Sequence, residues 1–590
     1  MAESRAQIAS AADKLRGDGD LNAALALYER LYRDDPKDAR GLALLADALV
    51  EARLAGQALE LLEQAAAASG PELDTTRAKA LLALGRWPEA LELFNTIVSE
   101  HPTWADGWNN LACCLSELGR ETEASARWRR ALDLHPHHVS ATLGLAQLAK
   151  KRDQLEQSRS LLETLLSAGD CPPARRELVA VLLRLGETDA AVQHSNQLVH
   201  GPSSTLEDQM QLARAHFLGG DLDAYIACLD EEPDQLWKGV TRSSIAIGTL
   251  AESGRIEQAR QRLAQHLAQD PADANARLVE ARDCLSQGDF VNGWRAYAFR
   301  LRLPNNQIHF KLEPNWDGRP INGRSVLVLG EQGLGDVCYF SRFLKPLLAD
   351  NPGSSLIAEP RMLPLLQAAY PELHSFCDPE GIGLLPTPLV RIALGSLPLL
   401  YGTSREQVAA LDHGLRANDA DLRCLRTRID QDARHPWRLG ISLLGGRPSD
   451  EYQRRKRSLP MAMVLQQLAG LPVTLVDLQH QGHPPEFQQE AERLGLQVLH
   501  YPDLTDNLGL LVAAISAVDG VLTAQQSNAH LCGALGQRGM VLLPPGCHFV
   551  FAEPVQTAWY PSLEVIRADR FGCWDGIMQE IPQRLQAWLG

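Results

Sequence analysis

Over its 590 residues the chain has no apolar run approaching the ~18 residues that span a bilayer. The opening MAESRAQIAS has no basic segment leading into an apolar one, so neither a membrane span nor a secretory signal is expected. The 11 cysteines are odd in number, scattered and never spaced C-x-x-C. That argues against a disulfide framework or a zinc knuckle and for free thiols in a reducing cytoplasm. Positive charge is also scarce. With 57 basic groups against 73 acidic ones the net charge is −16, and the average field repels nucleic acid and anionic membranes alike. Aromatics are only 6%. With 45% hydrophobic and 22% charged residues, the composition is that of a folded chain with ample core. The length suggests about three to five domains.

The first half repeats. Ala12, Leu15, Ala24, Tyr28, Leu31 and Pro36 recur at the same offsets as Ala78, Leu81, Ala90, Phe94, Ile97 and Pro102. The next unit carries Leu111, Ala112, Leu115, Ala124, Trp128, Ala131 and Pro136, and a later one Leu250, Ala259, Leu263 and Pro271. Pro102 and Pro136 are 34 residues apart. Each unit reads as a helix pair. Small residues sit where the helices cross, a bulky one fills the layer between pairs, and proline closes the second helix. The turns Leu84-Gly85-Arg86, Leu118-Gly119-Arg120 and Leu185-Gly186-Glu187 suit a left-handed cap. The pattern resembles tetratricopeptide repeats, with weaker units around 39–70, 139–172, 172–203 and 205–230 and about eight or nine pairs across 5–300. Such a solenoid implies a groove for a protein segment. The His135, His137, His138 group reads as a solvated helix end, since no carboxylate or cysteine at ligand spacing accompanies it.

Beyond residue 303 the pattern alternates strand and helix. Apolar runs near 325–329, 355–358, 389–393, 439–443, 473–478, 497–500, 520–523 and 540–543 read as buried parallel strands. After the first comes Gly330-Glu331-Gln332-Gly333-Leu334-Gly335-Asp336 and a helix expected over 337–348. The spacing G-x-x-G-x-G is neither the dinucleotide fingerprint nor a P-loop. Asp336 is then either a helix-start carboxylate or a general base facing a cleft. In the second part Gly445 ends a strand, and Arg454-Arg455-Lys456-Arg457 is the densest basic run of an acidic chain. It reads as a solvated loop or as a reach towards a diphosphate. Ser527 and Asn528 are good helix N-caps, and the free N–H groups there suit a phosphate. His530, in the first turn, either donates to that phosphate or packs.

Taken in order over roughly 285–575, Gly293-Trp294, Trp316-Asp317-Gly318, Gly330–Asp336, Ser396-Leu397-Pro398, Arg457-Ser458-Leu459-Pro460, Leu478-Gln479, Ala529-His530-Leu531 and Trp559-Tyr560-Pro561 carry a second resemblance. They resemble bacterial proteins joining tetratricopeptide repeats to a GT-B glycosyltransferase related to the heptosyltransferase family (family 9), a layout similar to that of flagellin-modifying enzymes. The resemblance implies an α-solenoid over 1–302 followed by an α/β GT-B fold with two Rossmann-like lobes. These would be an acceptor-side lobe over 303–430 and a nucleotide-sugar lobe over 431–590. It implies Asp336 as catalytic base after the loop glycines Gly333 and Gly335, Arg457 on the diphosphate, and Gln526, Ser527, Asn528, Ala529 and His530, with the Gly445 turn, around the nucleotide. No metal or cofactor is implied; the nucleotide-sugar is the donor substrate.

The activity expected is sugar transfer, for example of a nonulosonic acid such as pseudaminic acid, to Ser or Thr of a protein recruited by the repeats, with flagellin the favoured acceptor and the cytoplasm the location. One departure leaves the donor open: Gln525-Gln526 stands where the family has an acidic residue followed by Thr or Asn. The alternatives are a non-catalytic repeat scaffold with a degenerate GT-B half, or transfer to a lipid or lipopolysaccharide.

Overall fold

The structure is a computed structural model. It describes residues 5–17, 20–64, 70–230, 236–237, 239–303, 315–319, 321, 325–331, 333–376, 389–445, 458–480, 482–552, 556–570 and 573–589. The chain divides into two compact units, Met1–Cys228 and Leu229–Gly590.

The first unit is a stack of antiparallel helix pairs, from Arg5–Gly17 with Leu21–Asp34 onwards. Ala24, Ala90 and Ala124 are fully buried where helices cross, and Tyr28, Phe94 and Trp128 fill the layers between them. The fit is close. A Cβ on Gly144 would lie 2.4 Å from the Trp128 ring, so the next helix approaches the indole through glycine. Gly85, Gly119 and Gly186 take φ of +74°, +75° and +81° at the turns. In two of the weaker repeats the chain makes the same turn without glycine: Arg53 and Asp153 sit at φ +63° and +61°. The fold keeps the repeat there at a cost in backbone strain. His138 is not simply solvated. Its Nδ1 accepts from Ala141 N–H at 3.3 Å as a helix cap, and its Nε2 lies 3.1 Å from Asp106.

The second unit begins with two more pairs, Arg242–Glu252 with Ile256–Gln269 and Ala274–Ser286 with Phe290–Tyr297, which bring the pairs among the described residues to nine. They share the unit with a two-stranded ribbon, Leu236–Trp237 with Val240–Thr241, and with two larger sheets. The smaller sheet is parallel, in the order His374–Phe376, Ser355–Ile357, Ser325–Leu329, Leu389–Ala393. The larger runs Gln556–Thr557, Tyr560–Arg567, Gly539–Leu543, Gly520–Ala524, Trp437–Ser442, Val473–Asp477, Gln497–Leu499, and only its first strand is antiparallel. The strands 374–376 and 560–567 escape the sequence reading. The first is only three residues long, and the second mixes exposed and buried positions.

Among the parallel strands of each of these two sheets the order reverses once, between Ser325–Leu329 and Leu389–Ala393 in the smaller and between Trp437–Ser442 and Gly520–Ala524 in the larger. The crevice beyond the carboxyl ends of such strands is where open parallel sheets bind ligands. The single helix expected over 337–348 is instead Leu334–Phe340, a 3-10 turn Ser341–Phe343 and Leu344–Asp350. Pro346 has no N–H to give the Arg342 carbonyl four residues back, so one continuous ladder is interrupted there.

An aromatic cluster joins the last helix pair to both sheets. Trp294 packs edge-on against Phe549 and Trp559, with ring centres 5.5 and 6.1 Å away, and tilted against Phe340 at 6.1 Å. Its Nε1 donates to the Gly402 carbonyl at 2.7 Å. Nearby, Arg342 is buried. It donates to the Val408 and Trp559 carbonyls, and burial pushes its pKa down to about 10.

Two stability outcomes follow from this packing. Trp294→Ala should destabilise the second unit by about 3–5 kcal/mol, read from denaturant unfolding. Arg53→Gly should stabilise the first by up to about 1 kcal/mol, because glycine relieves the left-handed turn; an unchanged or lower melting point would refute the strain at Arg53.

Candidate functional site

At the reversal point of the smaller sheet the strand Ser325–Leu329 ends in the glycine loop. Glu331 turns inward, 1% exposed, and accepts from Gly395 N–H of the neighbouring crossover at 2.8 Å. Arg300, 2% exposed, pairs with it through two nitrogens, Nε at 3.0 Å, and donates to Ser396 Oγ at 2.9 Å. Gly330 lies so close to the next strand that a Cβ would meet the Ile357 carbonyl at 2.6 Å.

The helix then starts at Leu334 with Gly333 as its cap. Asp336, in the first turn, takes the first of its two readings, the helix-start carboxylate. Its Oδ2 accepts from Gly333 N–H at 3.1 Å, and its Oδ1 accepts from the Tyr339 hydroxyl at 2.6 Å. Each oxygen keeps a lone pair for another partner. Burial raises the carboxyl pKa, against the lowering pull of those two hydrogen bonds.

At the reversal point of the larger sheet, Ser442 ends one strand and Ala524 the other. Gln526 Nε2 donates to the Ser442 carbonyl at 2.9 Å and to its hydroxyl at 2.6 Å. Asn528 Nδ2 donates to Ser442 Oγ at 2.9 Å and to the Leu478 carbonyl at 2.7 Å. This corrects the expected caps. Gln526 holds the N-cap position with no side-chain bond to the helix, Ser527 is the first helical residue, and Asn528 is buried and spent on the strand ends. A buried amide must be satisfied, and the strand ends offer the acceptors.

Gly445 N–H donates to Ser458 Oγ, which donates back to the Gly445 carbonyl, both at 3.2 Å. Ala529 is fully buried. Arg457 lies outside the described residues.

Sequence reading missed what fixes the Gly445 turn. Gln479 bridges Leu444 through Oε1 and Nε2, each at 3.0 Å. His483 stacks on Phe487 at 4.1 Å, and its Nδ1 lies 2.8 Å from Asp477 Oδ1 while its Nε2 accepts from Leu443 N–H at 3.3 Å. Burial works to raise the Asp477 carboxyl, but the bonds to His483 outweigh it and hold the group below its usual range. Apart from Gln479, these residues stand outside any motif, so spacing gives no signal for them.

The two sets of predicted residues meet. A Cβ on Gly335 would lie 2.9 Å from His530 Cδ2, so the glycine loop touches the start of the Ser527–Ala534 helix. The His530 ring packs among Tyr339, Phe551 and Tyr560, with Nδ1 3.2 Å from the Tyr560 hydroxyl. Burial pushes its pKa down to about 3, so the ring is neutral. Of the two expectations for His530, the structure shows it packed. Among the described residues no group of three or more His, Cys, Asp or Glu could hold a metal, and no helix is long and apolar enough to cross a membrane.

The first unit has its own concavity, a groove of about 690 Å³ lined by the first helices of successive pairs. Arg40, Asp47, Lys79, Trp104, Asn109 and Asn110 face it.

Comparison with known proteins agrees with the helical half. A tetratricopeptide repeat model matches residues 75–126. Protein FlbA of Caulobacter vibrioides is 24% identical over 509 residues, 82% of this chain and 73% of that protein. Among solved structures, a tetratricopeptide repeat protein from Parabacteroides merdae is 16% identical with a TM-score of 0.29, covering 38% of this chain and 90% of that one. A tetratricopeptide protein of Thermus thermophilus is 19% identical with a TM-score of 0.26, covering 36% and 100%. The N-terminal half is thus a tetratricopeptide-like solenoid, followed by a part built on parallel sheets.

The neutral His530 generates a pH prediction. Its folded pKa lies below the unfolded value of 6.5, so it contributes stability above pH 6.5 that is lost as pH falls towards 3. Between pH 6.5 and 5 that loss is about 2 kcal/mol. Unfolding curves of His530→Gln should therefore fall less steeply with pH over that window than those of wild type; equal slopes would show that His530 takes up its proton in the folded state.

Proposed function

We propose that the two sheets are the lobes of a GT-B glycosyltransferase and that the protein moves a sugar from a nucleotide donor to a hydroxyl of a protein held by the solenoid. The observation that carries this reading is the meeting of two reversal-point crevices: the one with Asp336 and the one with Gly445 and the Ser527–Ala534 helix start touch through Gly335 and His530.

In that arrangement the acceptor Ser or Thr oxygen attacks the anomeric carbon and the bond from that carbon to the donor phosphate breaks. The acceptor proton passes to a free lone pair of Asp336, and the nucleotide leaves with the electron pair. Backbone N–H groups at the start of Ser527–Ala534, where no side chain caps the helix, suit the phosphate, with Arg457 as its cation. Holding the acceptor in the groove raises the local concentration of its hydroxyls. Flagellin is the acceptor we favour, and a nonulosonic acid such as pseudaminic acid on a nucleotide the donor, both on resemblance to flagellin-modifying enzymes. The likeness to Protein FlbA across most of the chain is compatible with a shared role.

One observation favours a second reading, a scaffold without chemistry. Gln526 and Asn528 spend their amides on strand ends, and Gln525 Oε1 accepts from His548 N–H at 3.0 Å, so these side chains are committed to the framework.

The deciding measurement is the intact mass of the acceptor after incubation with donor. Asp336→Asn should slow the sugar mass increment at least about 100-fold; modification at the wild-type rate would rule Asp336 out as the base. Arg457→Ala should weaken nucleotide-sugar binding several-fold, and binding of no nucleotide or nucleotide-sugar at all by wild type would favour the scaffold. Trp104→Ala with Asn110→Ala in the groove should weaken acceptor binding and leave donor binding unchanged.

A further inference from the structure

The Asp336 carboxylate is supported from a direction that the transfer reading does not use. Tyr339, one turn along the same helix and 1% exposed, has a single hydroxyl proton and gives it to Asp336 Oδ1 at 2.6 Å. Tyr297 closes the last helix of the second unit's repeat pairs, Phe290–Tyr297, and its ring carries the Arg300 guanidinium 4.6 Å from its centre. The Tyr339–Asp336 bond thus lies on the loop that the Arg300–Glu331 pair anchors.

Resting on the reading of Asp336 as the base, we propose that Tyr339 is a positioning residue that keeps the Asp336 carboxylate charged and its remaining lone pairs aimed at the acceptor.

The surroundings make the hydrogen bond matter. Around Asp336 stand Glu331, which disfavours its charge, and Arg300, which favours it but is already paired with Glu331. Tyr297, Cys338 and Tyr560 are buried and protonated neighbours, their pKa values raised by burial. Across Tyr339 lie the rings of His530, neutral, and His548, at 5.3 and 5.4 Å. The Gly333 N–H and the Tyr339 hydroxyl are the two hydrogen bonds that stabilise the anion against burial. Removing one raises the carboxyl pKa, and the acid limb of any activity that needs the anion moves to higher pH.

The test is an infrared titration of the full-length protein, with Asp336→Asn as the blank that isolates the Asp336 carboxyl band. In Tyr339→Phe the midpoint should rise by about one to two pH units, as expected for the loss of a hydrogen bond to a charged group. 3-Fluorotyrosine at position 339, whose more acidic hydroxyl is the stronger donor, should lower the midpoint, and it carries the test if Tyr339→Phe fails to fold by circular dichroism. An unmoved midpoint in the folded variants overturns the positioning role. The sugar-transfer rate of the same variants should show an acid limb displaced in parallel, with the high-pH rate within a few-fold of wild type. A displaced infrared midpoint in a protein whose wild type transfers no sugar would leave the hold of Tyr339 on Asp336 standing and remove the transfer reading instead.

Discussion

The guanidinium of Arg300 and the carboxylate of Glu331 lie buried against each other, at the point where the helical repeats give way to the first sheet. Two opposite charges withdrawn from water are tolerable only as a pair, and removing either partner from such a pair costs several kcal/mol because the other is left stranded. Here the pair does more than neutralise charge. Glu331 also receives Gly395 N–H, and Arg300 also reaches Ser396, so the pair ties the glycine loop to the crossover beside it. The position of Gly333, Gly335 and Asp336 follows from that tie.

The same junction explains why the last helix pairs belong with the sheets. Trp294 sits among Phe340, Phe549 and Trp559, and Tyr297 packs against Phe340 and Phe549, so the helix Phe290–Tyr297 is packed from both sides. A repeat helix normally buries its faces against neighbouring repeats. This one buries its face in aromatic rings contributed by segments of both sheets, and the boundary between the compact units falls instead at residues 228 and 229. Large aromatics supply this contact in a chain otherwise poor in them.

Two crevices, each at a reversal of strand order, are brought together by small residues. Gly335 admits the His530 ring, and Gly533 approaches Tyr560 so closely that a Cβ would meet the ring at 2.3 Å. Among the described residues at the larger-sheet crevice, Gln526, Asn528, Gln479 and His483 fasten the strand ends around Ser442 and Leu478 and the backbone of Leu443 and Leu444. A preorganised wall of this kind suits a site that must hold a donor without reorganising. It also gives the glutamines at 525 and 526 a role, since their amides bond to neighbouring backbone.

What the sequence determined by itself is whatever depends on local periodicity. The helix pairs follow from Ala24, Tyr28, Ala90 and Phe94 recurring at fixed offsets, and most strands follow from short apolar runs, since burial imposes those spacings on the chain directly. The glycine loop and Asp336 were legible for the same reason: a strand-to-helix turn needs glycine, and a helix start favours a carboxylate. Only the tertiary structure decided the partners. Nothing near Arg300 in the chain points to Glu331, nothing near Asp477 marks His483 as the brace for Leu443, and nothing local to Asn528 turns its amide away from the helix cap towards Leu478. These are demands of buried polar groups for any acceptor within reach, and which acceptor is within reach is set by how distant segments pack.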